Sequence, residues 1–173
     1  MEYTYNPVRQ DAAIYRFPAA FFPLLAAGAL VTQAYLPLLI HSASRLDVPL
    51  LAVAYLALTT RNQASAMGTG AVFGLLQDTL SHLALGLNGI GKTLAGFLAS
   101  SLGGRIDADH PGIRLLVVFG LYWLNSAVVF LAGRFLMAQP LHWMTAPVAV
   151  AALINGLTAV FLFRFLDRFR RMV

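Results

Sequence analysis

Apolar residues in this chain come in long uninterrupted runs separated by short polar breaks, not in the regular alternation of a half-buried helix or strand. Six runs can be marked off, at residues 17–40, 48–60, 64–81, 87–102, 113–137 and 145–163. A helix of about 20 apolar residues crosses a bilayer. The pattern therefore predicts an all-α membrane protein, about six transmembrane helices packed in one bundle, with residues 1–173 as a single polytopic domain. Pro18, Pro23 and Pro37 fall in the first run. They are compatible with a membrane helix, where neighbours re-satisfy the backbone groups that proline frees. The second run, Val48 to Thr60, is short. At 1.5 Å per residue it rises only about 20 Å, so it needs a locally thinned bilayer or cover from its neighbours.

The third and fourth runs are unusually rich in glycine: Gly68, Gly70 and Gly74 in one, Gly89, Gly91 and Gly96 in the other. In lipid, small residues let helix backbones approach closely and pack. These two runs, joined by the short link from His82 to Gly86, are expected to form an interior hairpin. The alternative is that the glycines merely permit kinks.

Composition bears out the choice of solvent. Hydrophobic residues make up 59% of the chain and charged residues 11%. A soluble domain carries about 25% charged residues, so a water-facing surface here would consist of large apolar patches. The run from Phe17 to Ile40 is too long for a cleavable signal peptide, and the mixed polar start from Met1 to Arg16 does not resemble one. The absence of cysteine removes disulfides, thiolate metal sites and cysteine nucleophiles. A net charge of +5 would suit nucleic acid, but the arginines sit between apolar runs and at the C-terminus. That is the distribution of membrane orientation, not of a basic binding face, so no nucleic-acid partner is expected. With the N-terminus in the cytoplasm, Arg9, Arg16, Arg61, Arg105, Arg114, Arg164, Arg168, Arg170 and Arg171 fall on that side. Arg45 and Arg134 fall on the other. The positive-inside rule then places both termini in the cytoplasm, as an even number of spans requires.

Ionisable residues inside a membrane are costly and draw attention as functional candidates. Asp78, near the end of the third run, and Lys92, near the start of the fourth, lie at similar depth if the two runs form a hairpin. They are expected to pair or to share hydrogen bonds. In the bland alternative Lys92 snorkels to the headgroups and Asp78 caps the turn. The amides Gln33, Gln77, Asn88, Asn125 and Asn155 suit interhelical hydrogen bonds. His41, His82, His110 and His142 have no metal-ligand spacing, so neither a metal nor another cofactor is expected. The chain has no HExxH, GxSxG, P-loop or paired carboxylates, so no catalytic residue is nominated. Gln139 to Trp143 is expected to turn at the interface, with Trp143 among the headgroups. The tail, with Arg164, Arg168, Arg170 and Arg171 among Phe165, Leu166 and Phe169, has the make-up of a segment lying against anionic lipid.

The run Gly74-Leu75-Leu76-Gln77-Asp78-Thr79-Leu80-Ser81, then Leu85-Gly86-Leu87-Asn88-Gly89, then Thr93-Leu94-Ala95-Gly96-Phe97-Leu98 resembles the rod shape-determining MreD family. In that family a glycine-rich helix ends in an Asp before a short turn, followed by a Leu-Gly-Leu-Asn-like stretch and a Thr-Leu-x-Gly-Tyr-Leu-like helix. Phe97 stands where the tyrosine is usual, and Lys92 is not a family feature. The resemblance covers all six runs by pattern and about a quarter of the chain by specific residues. It implies a non-enzymatic scaffold in the bacterial inner membrane. Such a scaffold pairs with the single-span protein MreC and links MreB filaments to peptidoglycan synthesis by RodA and a class B penicillin-binding protein. The family is similar in fold to the substrate-capture subunits of energy-coupling-factor transporters. That likeness leaves capture of a vitamin-sized molecule, in a pocket lined by Asp78, Asn88 and Lys92, as the alternative function.

Overall fold

The structure, a computed structural model, describes residues 15–16, 21–40, 44–81, 84–136, 145–169 and 171–172. Its helices are α1 (Phe21–Leu39), α2 (Val48–Thr60), α3 (Gln63–Leu80), α4 (Leu87–Gly103), α5 (Pro111–Leu136) and α6 (Thr145–Leu166). A single 3-10 turn, Asp167–Phe169, follows α6. Two short strands, β1 (Tyr15–Arg16) and β2 (Arg171–Met172), pair antiparallel and bring the two ends of the chain together. Three helical stretches, Phe21–Leu39, Pro111–Phe135 and Thr145–Phe169, are long and apolar enough to cross a membrane.

The boundaries differ from the sequence expectation by a few residues, for identifiable reasons. Helix α5 begins at Pro111 itself, because proline lacks only an N–H that the first turn leaves unused. Helix α6 runs past Arg164 to Leu166, since Phe163 and Leu166 still face the core and are buried. The basic tail is not one continuous amphipathic helix. Arg164 lies in the last turn of α6, Arg168 in the 3-10 turn and Arg171 in β2, while Arg170 is outside the described residues. The 139–143 turn with Trp143, residues 17–20, His41, His82 and His142 also lie outside them.

Helix α2 is the axis of the bundle. It is apolar on every face, as a fully enclosed helix must be, and Pro49 through Thr59 are all buried. Each of the other five helices contacts it. Its shortness is thus met by cover from neighbours. The Tyr55 ring packs at a tilt against Phe163 of α6, centroids 5.2 Å apart, and Leu51, Leu58, Ala95, Ala99, Val118 and Leu121 belong to the same principal core. By contrast α1 buries only Ala29 and forms an edge of the bundle.

Helices α3 and α4 pack through a ladder of small residues with a repeat of four. A Cβ on Gly96 would strike the carbonyl of Ala66, one on Gly70 the carbonyl of Lys92, and one on Gly74 the carbonyl of Asn88. Successive rungs, 66 with 96, 70 with 92 and 74 with 88, fix the register of the pair. The glycines are therefore used for close packing inside the bundle. Gly91 packs against the Asn125 amide of α5, and Gly89 against the Leu75 side chain. Gly68 differs from the rest: it is exposed, and a Cβ there would meet nothing.

Candidate functional site

The register of the α3–α4 ladder decides what Asp78 and Lys92 can touch. Lys92 lies level with Gly70, and Asp78 is two turns further along α3, about 12 Å. Asp78 therefore sits over the start of α4. Its Oδ2 accepts from the backbone N–H of Gly86 at 2.9 Å and of Gly89 at 3.4 Å. Its Oδ1 accepts from the backbone N–H of Asn88 at 3.1 Å and from Asn88 Nδ2 at 2.9 Å. These donors belong to the first turn of a helix, which has no internal acceptors for them. The carboxylate is also stabilised there by the positive end of the helix dipole. Gly86 supports the turn with φ +102, a conformation that costs a residue with a Cβ 1–2 kcal/mol or so.

Asp78 and Lys92 do not pair directly; of the two forms expected, the shared hydrogen bonding is the one found, through Asn88, and Asp78 also holds the turn before α4. The partner of Lys92 is Asp47, whose Oδ2 lies 2.7 Å from Nζ, with the lysine side chain fully enclosed. Lys92 Nζ also donates to Asn88 Oδ1 at 3.3 Å. One amide thus joins the two charges: Asn88 donates to Asp78 and accepts from Lys92.

Asp47 is the N-cap of α2, and the accounting of that terminus is complete. Asp47 Oδ1 accepts from Leu50 N–H at 3.0 Å, and the Asp47 carbonyl accepts from Leu51 N–H. Val48 N–H donates to Gln33 Oε1 of α1 at 2.9 Å, and Pro49 has no N–H to satisfy. Asp47 N–H donates to Asn155 Oδ1 of α6 at 2.9 Å, while Asn155 Nδ2 donates to the carbonyls of Arg45 and Ala151. Gln33 is about 9 Å from the end of α1 and Asn155 about 15 Å from the start of α6. Helix α2 therefore begins well inside the bundle, at a depth where an unpaired backbone donor would cost several kcal/mol, roughly, in lipid. Two carboxylates, one ammonium and two helix N-termini meet here, so the charge is close to balanced once each N-terminus is counted as roughly half a positive charge.

Other nominated residues stand apart. Gln77 and Asn125 are buried, and among the described residues Gln77 Oε1 and Asn125 Oδ1 accept no hydrogen bond. Among the described residues no group of His, Cys, Asp and Glu could hold a metal ion. Asp47 is not among the residues nominated from the sequence. Its signal was present: an Asp directly before Val-Pro at the head of an apolar helix is an N-cap pattern.

A second polar cluster, also not nominated from sequence, lies at the opposite end of the bundle, where the termini meet. Arg114, in the first turn of α5, is 5% exposed. Its guanidinium donates to the Ala108 carbonyl at 2.7 Å and pairs with Asp109 at 3.0 Å and Asp167 at 2.8 Å. It lies 5.8 Å from the Phe163 ring centroid, and Tyr55 Oη donates to Asp167 Oδ1 at 3.3 Å. Arg114 thereby ties the α4–α5 loop and the end of α6 to the central helix. The sequence hint was an arginine inside the first turn of an apolar run and a lone acid in a basic tail.

Both clusters spend their polar atoms on joining helices. No curated protein and no solved structure matches the chain. The family model for the rod shape-determining protein MreD matches residues 14–173, nearly the whole sequence. With its long apolar helices and this match, the chain is a membrane protein that belongs to the MreD family of rod shape-determining proteins.

Proposed function

We propose that this protein is a non-enzymatic integral-membrane scaffold of the bacterial cell-elongation complex. In this reading all six helices lie in the cytoplasmic (inner) membrane, with both termini in the cytoplasm. The protein binds an MreC-like single-span partner through its helix faces. With that partner it links MreB filaments to peptidoglycan synthesis by RodA and a class B penicillin-binding protein, and so maintains cell shape. The observation that carries the reading is the family match from residue 14 to residue 173. The loops are short, which leaves helix faces as the surface for recognition.

The interior supports a structural over a ligand-binding role. Capture of a vitamin-sized molecule by a fold like the energy-coupling-factor subunits would draw on Asp78, Asn88 and Lys92. Those side chains are engaged with one another, with Asp47 and with the α4 backbone, and Asp78 and Lys92 are 0% exposed. Apart from the exposed Gly68, the glycines of α3 and α4 are likewise occupied within the bundle, which directs a partner helix to other faces. The exposed α1, with Val31, Tyr35 and Leu38 turned outward, offers such a face.

The test is co-purification in mild detergent with the MreC-like protein of the same organism, against an unrelated single-span protein as control. A specific complex, together with rounding of a rod-shaped host on depletion, is the expected result. Absence of the complex, with a vitamin-sized molecule retained by the purified protein, would transfer the assignment to substrate capture.

A further inference from the structure

Beside the C-terminal half of α4, an open groove of about 460 Å³ lies between α4 and α5. That lies within the range of roughly 300–1,000 Å³ found for ligand sites. Leu98 and Leu102 of α4, Leu116, Gly120 and Leu124 of α5, and Arg105 just beyond α4 line it. A Cβ on Gly120 would meet nothing within 4 Å, so the groove is open at that point. Leu98, Leu102 and Leu116 are 40%, 37% and 67% exposed. From these observations we infer that the groove holds one acyl chain of an anionic phospholipid, with the lipid phosphate on the Arg105 guanidinium.

Charge and length favour this occupant over a partner helix. Arg105 is exposed, and among the described residues its guanidinium has no ion-pair partner. The nearby carboxylates do not point into the groove: Asp109 is bound to Arg114, and Asp107 accepts from the Asp109 N–H, both lining a separate small cleft beside Tyr55. From Leu116 to Leu124 the groove extends about 12 Å along α5. That is close to one leaflet of a hydrocarbon core of about 30 Å. A single-span helix would need a seam through both leaflets, whereas an acyl chain needs only one. A cation at the membrane–water boundary attracts an anionic headgroup, and the apolar walls take up the chain.

The inference rests on the chain being embedded in a membrane but not on any scaffold partner, so its test uses the purified protein alone. Native mass spectrometry in mild detergent would follow retention of added phosphatidylglycerol and of phosphatidylcholine with the same acyl chains. The full-length protein should hold one phosphatidylglycerol several-fold more strongly than phosphatidylcholine. Arg105→Gln should remove that preference and leave phosphatidylcholine retention unchanged. Gly120→Leu, which fills open space and should fold normally, should lower retention of both lipids. Arg168→Gln, in the tail, should leave the one-lipid preference in place. Phosphatidylglycerol retention unaffected by Arg105→Gln or by Gly120→Leu would overturn the inference. So would competition by water-soluble glycerol 3-phosphate as strong as by the lipid, which would indicate a bare phosphate site. Loss of a co-purifying protein from Gly120→Leu with lipid retention intact would show that the groove seats a helix, and would equally overturn it.

Discussion

Lys92 Nζ lies 2.7 Å from Asp47 Oδ2 across 45 residues of sequence, and this contact pins the head of α2 to the second turn of α4. Burying either charge alone is expensive, and the pair is tolerated because Asn88 and the α2 N-terminus complete its hydrogen bonding. Asp47 also serves as the helix cap, so one side chain settles both a charge and an orphan backbone donor.

Lys92→Met should therefore destabilise the protein by about 3–5 kcal/mol, the usual cost of orphaning one member of a buried pair. Asp47→Asn keeps a capping side chain but removes the charge. The double variant Asp47→Asn/Lys92→Met should be more stable than Lys92→Met alone. A thermal-unfolding double-mutant cycle in detergent measures this, and additive losses would show that the pair contributes no coupling. The corresponding cycle for Asp78 with Lys92 should give a smaller coupling, because those residues meet only through Asn88.

Asp78→Ala removes acceptors from the first turn of α4, at Gly86, Asn88 and Gly89. Amide hydrogen exchange should accelerate most at residues 86–90 and little in α5 and α6. Asp78→Asn, which keeps one acceptor oxygen, should fall between Ala and the native residue. Uniform acceleration over the bundle would mean that Asp78 supports global stability and not this helix start.

The glycines separate into used and unused positions. Gly74→Ala drives a methyl into the Asn88 carbonyl, and overpacking of this sort costs about 1–3 kcal/mol. Gly68→Ala meets nothing and raises helix propensity by up to about 1 kcal/mol in the wet reference state, so its melting temperature should be unchanged or higher. Equal melting temperatures for the two variants would contradict the ladder.

Pairing of β1 with β2 puts both ends of the chain at one end of the bundle, and the arginine distribution favours the cytoplasm for that end. Reporter fusions at Val173 and Ala108 should score cytoplasmic, and one at Ala138 periplasmic. A periplasmic score at Val173 would refute the six-span orientation.

Much of the architecture was legible in the sequence because lipid imposes a coarse and strong rule. Backbone groups in an apolar solvent must be satisfied within a helix, so apolar runs report helices directly. Runs at 48–60 and 87–102 gave α2 and α4 almost to the residue. The glycine density likewise marked α3 and α4 as close-packed neighbours, because only small side chains admit such contact. Asp78 and Lys92 were legible as unusual residues, since a charge in an apolar run stands out whatever its partner.

What only the tertiary structure decided was register and partnership. Equal depth of Asp78 and Lys92 followed from assuming that α3 ends and α4 begins at one level. In the fold, α3 reaches past the start of α4, because Gly74 seats against Asn88 and Gly70 against Lys92. Asp78 then faces backbone donors, and Lys92 turns to Asp47, which lies just ahead of the second apolar run. Arg114 with Asp167, and Asn155 with Asp47, are joined over 53 and 108 residues. No local pattern encodes such pairings. They depend on which helix faces meet, and that is set by side-chain volumes summed over the whole bundle, whereas the existence of each helix is set by its own residues and the solvent around it.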